Sequence, residues 1–307
     1  MVVGVGNVAM DVARILVKTV DELKTTDIAQ HALDALSESK IKTVYVVGRR
    51  GPAQAAFTTP EIKEMGELEA CTPFIDPAEL QLNPASVEER EERNVNRNLE
   101  FLEAYSNNDV SAKERRLIFR FLASPVELKG TDRLETVVLE KNALEGEAFK
   151  QKCRGTGELD EVPAGLIFRS IGYRGIPIEG VPFHESWGLF PNEEGRITDD
   201  GIVVLGMYAA GWIKRGPSGI IGTNKPDSLE TSQNILEDAG QLTPCAVPDS
   251  NAVKAILDAR VVRVVSMEDW KLIDAVEIAN GEAVGKPRER FTRIDDMLAV
   301  LDGQPPK

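Results

Sequence analysis

The chain has 307 residues, 42% of them hydrophobic and 28% charged, with 50 acidic against 36 basic residues for a formal net charge of −14. At about 100–200 residues per domain that length suggests two domains, and the dispersed aliphatic residues exclude a disordered chain. The acidity argues against a general nucleic-acid binder, and no run approaches the ~18 apolar residues of a membrane-spanning helix.

Asp11, Arg14 and Lys18 interrupt the opening apolar run and no basic leader precedes it, so this region does not read as a signal peptide. It reads instead as strand, glycine turn and helix. Gly4, Gly6 and Ala9 stand at Gly-x-Gly-x-x-Ala spacing, and Val8, Val12, Ile15, Leu16 and Leu23 form the expected buried face of the helix, with Asp11, Arg14, Lys18 and Glu22 opposite. In such a turn the first glycine allows the bend, the second admits a pyrophosphate to the backbone N–H groups, and a small third residue lets helix and strand pack closely. Asn7 is placed to cap the helix. Taken alone, the pattern fits a dinucleotide loop or an ordinary turn. The strand before it is only about three residues long, against the usual five or six, so the chain is expected to begin inside its own first element.

A second helical stretch follows over residues 27–37, then a β-branched run at 43–47 that suits a parallel strand buried on both faces. Arg49 and Arg50 stand at its end, where an acidic residue would accept the ribose of NAD and a guanidinium would accommodate the 2′-phosphate of NADP. The choice falls on NADP over NAD, with a solvated arginine pair as the plain alternative. Thr59 as N-cap and Pro60 at the first helical position open the next helix, on which Glu61 and Glu64 share a face. By composition alone these two are solvated helix carboxylates.

Residues 86–103 suggest an exposed helix, with Arg90, Arg93 and Arg97 as one basic stripe and Lys113, Arg115 and Arg116 as another. Strands are expected over 117–122, 126–129 and 134–140, the last two joined as a hairpin through Gly130, Thr131 and Asp132, which makes an antiparallel insert. A further buried strand is expected over 164–173. A second glycine-rich loop, GWIKRGPSGIIGTN at 211–224, follows an apolar strand at 202–210 and precedes a helix at 226–239 closed by Gly240. Its glycines allow close backbone approach and Trp212 offers a stacking plane, so it reads as a cofactor loop or as a packed irregular loop. His31 and His184 have no Ser or Cys partner nearby, and Ser218 lacks a nucleophile elbow, so acyl transfer has no support. Cys71, Cys153 and Cys245 are scattered and odd in number, which fits a reducing, cytoplasmic setting and neither a disulfide framework nor a metal site.

Taken in order, GVGNVAMDVARIL at 4–16, VGRRGPAQAAFTT at 47–59, FRSIGYR at 168–174 and GWIKRGPSGIIGTNK at 211–225 resemble the ferredoxin–NADP(+) reductases of the adrenodoxin-reductase type, with an actinobacterial-like flavoprotein as the nearest form. The resemblance implies an α/β fold. A Rossmann-like NADP-binding domain would span 1–174, a parallel sheet with an antiparallel insert, and 175–307 would be the C-terminal part of a discontinuous FAD-binding domain. It further implies that Gly6, Asn7, Val8 and Ala9 hold the NADP pyrophosphate, that Arg49 and Arg50 hold its 2′-phosphate, and that Glu61 lies on the nicotinamide side. Trp212, Gly219, Ile220 and Ile221 would line the flavin, Gly219 also touching the nicotinamide. Glu64 matches a catalytic carboxylate near both rings.

By the same resemblance NADPH would reduce FAD, which would pass electrons singly to a ferredoxin-type iron–sulfur protein. The net negative charge then calls for a local basic docking face, for which Arg90, Arg93, Arg97, Lys113, Arg115 and Arg116 are the candidates. The family's N-terminal FAD-binding strand, turn and helix, and the histidine partner of the carboxylate, are not found in these 307 residues, so the chain is expected to be N-terminally truncated with only part of the FAD site. The competing expectation is an NADP-binding fragment without redox activity. A glutamate-synthase type of subunit would need cysteine-rich iron–sulfur ligation, which three scattered cysteines do not supply.

Overall fold

The computed structural model describes residues 1–219 and 221–303. The chain divides into two units, one made of Met1–Ile171 together with the segment from Val265 onward, the other of Gly172–Val264. The first boundary lies between Ile171 and Gly172. The last segment, assigned by sequence to the second domain, packs with the first unit instead.

In the first unit β1 (Val2–Val3) leads through the glycine turn into α1 (Asn7–Val17), α2 (Val20–Leu23) and α3 (Gln30–Ser37). β2 (Thr43–Val47), α4 (Thr59–Met65), β3 (Cys71–Ile75), α5 (Pro84–Glu89), α6 (Arg93–Tyr105) and β4 (Arg115–Arg120) follow. Then come β5 (Ala123–Lys129), β6 (Thr136–Glu145), β7 (Lys152–Pro163) and β8 (Phe168–Arg169). Five strands form a parallel sheet in the order β3-β4-β2-β1-β8, and β5-β6-β7 form an antiparallel meander. This is the expected Rossmann-like α/β arrangement with its insert.

Alternation along β2 explains how one sheet carries two covers. Val44 and Val46 join the cluster made with Met10, Ala13 and Val17 of α1, Ile62 and Met65 of α4 and Leu102 of α6. Val47 points the other way and joins Ala123, Val137, Leu139 and Val162 of the meander. Although β1 has only two paired residues, bonds from Gly4 N–H to Val47 O and from Ser170 N–H to Val3 O extend its ladder on both sides, at 2.8 and 2.7 Å.

Several local expectations shift. The buried stripe of α1 is Ala9, Met10, Ala13 and Val17, whereas Val8 and Ile15 are exposed, because the two alanines face the sheet and allow the helix to lie close. The helix expected over 86–103 is two helices, since the chain turns between Glu89 and Arg93. β7 has no apolar alternation and was not anticipated. Of the strand expected over 164–173, only Phe168 and Arg169 pair.

The second unit contains a three-stranded antiparallel sheet of β9 (Asn192–Glu193), β10 (Arg196–Asp199) and β11 (Ile202–Tyr208). α7 (Trp212–Arg215), α8 (Asn224–Asp238) and α9 (Ser250–Ala259) follow. Its buried cluster is small: Phe190, Ile197 and Ala209. α10 (Met267–Glu282) and α11 (Ile294–Leu301) complete the first unit.

Candidate functional site

Gly4 turns the chain with φ +130°, and a Cβ there would lie 2.0 Å from Ser170 O. Gly6 differs: a Cβ would meet nothing within 4 Å, so its backbone faces open space. α1 starts immediately afterwards, and the first N–H groups of a helix have no intrahelical partner and carry the positive end of its dipole. Gly6, Asn7, Val8 and Ala9 therefore present an open, donor-rich backbone edge of the kind that receives phosphate oxygens.

Asn7 does not cap its own helix; the N-cap is Gly6, without a side-chain bond. The Asn7 side chain instead accepts from Thr58 N–H at 2.8 Å, and Ala56 N–H donates to Val5 O at 2.8 Å. The glycine loop is thus laced to the segment leading into α4. Thr58, not Thr59, is the N-cap of that helix. Thr59 Oγ1 donates to Asn98 Oδ1 at 2.8 Å.

Beyond β2 the side chains of Arg49, exposed, and Arg50, half-buried, have no ion pair or hydrogen bond among the described residues. Their backbone is fixed. Arg50 O accepts from Leu122 N–H at 3.0 Å, and Arg49 O accepts from Asn142 Nδ2 at 2.8 Å.

The two carboxylates on α4 meet α1. The Arg14 guanidinium contacts Glu61 and lies 3.2 Å from Glu64, and Lys18 Nζ lies 3.4 Å from Glu64. Burial works against the Arg14 charge, but the bond to Glu61 and the charges of Glu61 and Glu64 outweigh it and hold the guanidinium more firmly protonated than usual. Glu61 and Glu64 are thus members of one charge cluster rather than freely solvated groups. Sequence spacing showed that they share a face but not that Arg14 lies opposite.

In the second unit Gly211, Gly216 and Gly219 all have φ between 74° and 87°, so the loop needs glycine at each. A buried lysine holds the loop: Lys214 Nζ lies 3.3 Å from Asp227 Oδ1, 2.6 Å from Glu230 Oε2 and 3.1 Å from Thr231 Oγ1. Asp227 also accepts from Gly211 N–H. Trp212 is 48% exposed and stacks on Tyr173 with ring centroids 5.8 Å apart, and Ile221 is 91% exposed. These are apolar surfaces turned outward, as a flat ligand would require. Ile220 lies outside the described residues.

The two basic stripes are unequal. Arg90 is engaged by Glu103 at 2.6 and 3.1 Å, Arg115 donates to Lys18 O and Lys113 to Leu68 O. Arg93, Arg97 and Arg116 are exposed without ion pairs among the described residues. No group of three or more His, Cys, Asp or Glu side chains among those residues is arranged to hold a metal ion.

No family model matches the chain. It is 40% identical to the NADPH-ferredoxin reductase FprA of Mycobacterium tuberculosis over 98% of its own length and 66% of that protein's. With the mitochondrial NADPH:adrenodoxin oxidoreductase of Bos taurus it shares 41% identity over 98% of its length and 63% of the other's. The solved structure of M. tuberculosis FprA in complex with NADPH superimposes with a TM-score of 0.89 at 40% identity, covering 97% of this chain and 66% of that one.

The chain belongs to the NADPH-ferredoxin and adrenodoxin reductase family. It spans just under two thirds of the relatives it matches. The likeness runs through both units, so this family relation covers the arginine pair and the second glycine loop alike. Sequence reasoning about the family named candidate ligand positions and missed the side chains that hold their loops and helices: Asn142, Arg14, and the Lys214–Asp227 pair. Arg14 and Lys214 stand inside the quoted motifs, but nothing in the motifs tells which partners they meet across the fold.

Proposed function

We propose that this chain carries the NADP site and part of the FAD site of a ferredoxin–NADP(+) reductase, an oxidoreductase moving electrons between NADPH, FAD and a ferredoxin-type iron–sulfur protein. The observation that carries the reading is the pair of guanidinium groups, Arg49 and Arg50, unpaired among the described residues, at the end of β2 in the same unit as the open Gly6 edge. A cation pair with no anion among those residues suits an external one, and two guanidinium forks suit a dianionic 2′-phosphate.

In this reading Gly6, Asn7, Val8 and Ala9 take the pyrophosphate, and the Asn7–Thr58 bond keeps their loop in place. Glu61 lies on the nicotinamide side. Glu64, the catalytic carboxylate, is held by Arg14 and Lys18, which fix the direction from which it could orient a carboxamide. Trp212, Gly219 and Ile221 line one part of the flavin site, with Ile220 as a further proposed lining residue; bound FAD would supply the step from a two-electron hydride donor to a one-electron acceptor. The exposed Arg93, Arg97 and Arg116 offer the basic face that an acidic ferredoxin needs on a protein of net charge −14. Three free thiols suit a cytoplasmic setting, and no helix among the described residues is long and apolar enough to cross a membrane.

The outward apolar side chains of the second unit favour a second reading, an NADP-binding fragment that retains no flavin. The purified protein separates the two: yellow material that oxidises NADPH supports the reductase, colourless material the fragment. For the NADP site, the Arg49→Ala, Arg50→Ala double variant is expected to lose at least about 100-fold in affinity for 2′,5′-ADP while 5′-AMP binding holds, since each charge-assisted bond contributes ~1.5–3 kcal/mol. Unchanged discrimination in calorimetric titration would remove the 2′-phosphate role.

A further inference from the structure

The loop that presents Arg49 and Arg50 is anchored through three consecutive carbonyls. Gly48 O accepts from Ala123 N–H at 3.0 Å and Arg50 O from Leu122 N–H at 3.0 Å, both backbone donors at the start of the meander. The carbonyl between them, Arg49 O, is met by a side chain, the Asn142 amide, at 2.8 Å. Asn142 is 5% exposed and sits where β6 shifts register against β7. Its second amide hydrogen goes to Ser124 Oγ, 2.8 Å away, and its backbone N–H donates to Leu122 O at 2.7 Å. Leu122 itself is in the left-handed region, φ +51°, a conformation a leucine keeps only where its surroundings over-determine it. A carbonyl accepts and cannot donate, so the amide must turn its NH2 toward Arg49.

Among the described residues the two arginine side chains have no anion to hold them, and a free arginine side chain populates many rotamers. What the fold can fix is the backbone from which they leave. We propose that Asn142 is a positioning residue for phosphate selectivity: by clamping the Arg49–Arg50 peptide it sets the directions from which both guanidinium groups converge on a 2′-phosphate. This rests on the reading of Arg49 and Arg50 as the 2′-phosphate ligands.

The test is calorimetric titration of the whole chain with 2′,5′-ADP and with 5′-AMP, which differ only in the 2′-phosphate. Asn142→Asp keeps the shape but turns an acceptor toward Arg49 O, and Asn142→Ser shortens the side chain out of reach; the second carries the test if the first does not fold. Each is expected to weaken 2′,5′-ADP about five- to tenfold, the scale of one lost hydrogen bond, with 5′-AMP held within about twofold. Equal weakening of both ligands would show a merely structural asparagine and overturn the proposal, as would no change in either. The double arginine variant separates the two levels. If it abolishes the preference while both Asn142 variants keep it, positioning by Asn142 fails and the arginine reading stands; if it leaves the preference intact, the arginine reading fails and takes this inference with it.

Discussion

In the first unit Val2, Met10, Ile62, Leu117 and Phe119 are completely enclosed, whereas in the second Ile202, Ile221, Leu236 and Val261 are 74–91% exposed around a cluster of only Phe190, Ile197 and Ala209. The first unit closes its own core between helices and meander. The other leaves apolar surface on a scale that soluble proteins reserve for binding faces. What differs is therefore not the number of apolar residues but whether each has a neighbour within its own unit. The comparison says where substitutions should be felt as stability and where as binding.

The largest expected contrast is in the cores. Leu117→Ala in β4 is expected to cost about 2–5 kcal/mol in denaturant unfolding, the range for an enclosed leucine. Leu236→Ala on α8, at 75% exposure, should stay within about 0.5 kcal/mol. Comparable losses would mean that the second unit's apolar face is covered in solution, and the contrast drawn above would collapse.

The next contrast lies within one loop. Gly4→Ala would drive a Cβ into Ser170 O at a φ of +130°, so it should unfold or strongly destabilise the first unit. Gly6→Ala meets open space at an ordinary φ of −108°, and should leave the melting temperature within a few degrees while reducing NADP(+) affinity about tenfold or more, because the methyl group occupies the pyrophosphate's approach. A Gly6→Ala protein that binds normally would remove the pyrophosphate role from this edge.

A third effect is confined to the enclosed unit and appears with pH. Burial pushes the Cys71 thiol up to about 12 from 9.0 and the Tyr105 hydroxyl up to about 12 from 10.0. Tyr105 donates to Ile62 O at 2.6 Å, a bond that requires its proton. In the unfolded chain both groups ionise first, so their contribution is complete below about pH 9 and is lost progressively as pH rises toward 12. Melting temperatures measured between pH 8 and 11 should fall, and Cys71→Ala should make the decline shallower. An unchanged slope would mean the thiol is not enclosed in solution.

The fold of the first unit was legible because its strands are β-branched and its turns carry glycine at unavoidable positions: Gly4 and the run into Arg49 and Arg50 mark two strand ends without help from elsewhere. β7 was not, since a twelve-residue strand alternating among Lys, Glu, Asp and Gly owes its pairing to β6 rather than to its own pattern. The face of α1 was misjudged because hydrophobicity favoured Val8 and Ile15, while close approach to the sheet selected the alanines. The site divides in the same way. Residues offered to a ligand stand in short motifs, whereas Asn142, 93 residues from Arg49, belongs to no local pattern. Equally, nothing in the last segment's sequence tells that it packs with the first unit.

That last segment supports the smallest prediction. Lys286 is 6% exposed and bonds Ile28 O at 3.1 Å and Glu289 at 2.5 Å, while Glu289 accepts from Gln30 N–H at 3.0 Å. Nearby, the Arg290 guanidinium pairs with Asp27 at 2.5 Å, but both side chains are about half exposed, at 53% and 47%. An exposed pair is screened by water and salt and typically contributes ~0.2–1 kcal/mol, however short its distance. Arg290→Ala should therefore leave the melting temperature almost unchanged, and any small loss should vanish in high salt. Lys286→Ala leaves partly buried acceptors unmatched and should cost more, ~1–3 kcal/mol, with little salt dependence. If the ranking reverses, the segment is held to the first unit by its surface charges rather than by the enclosed lysine, and its place in that unit would then vary with ionic strength.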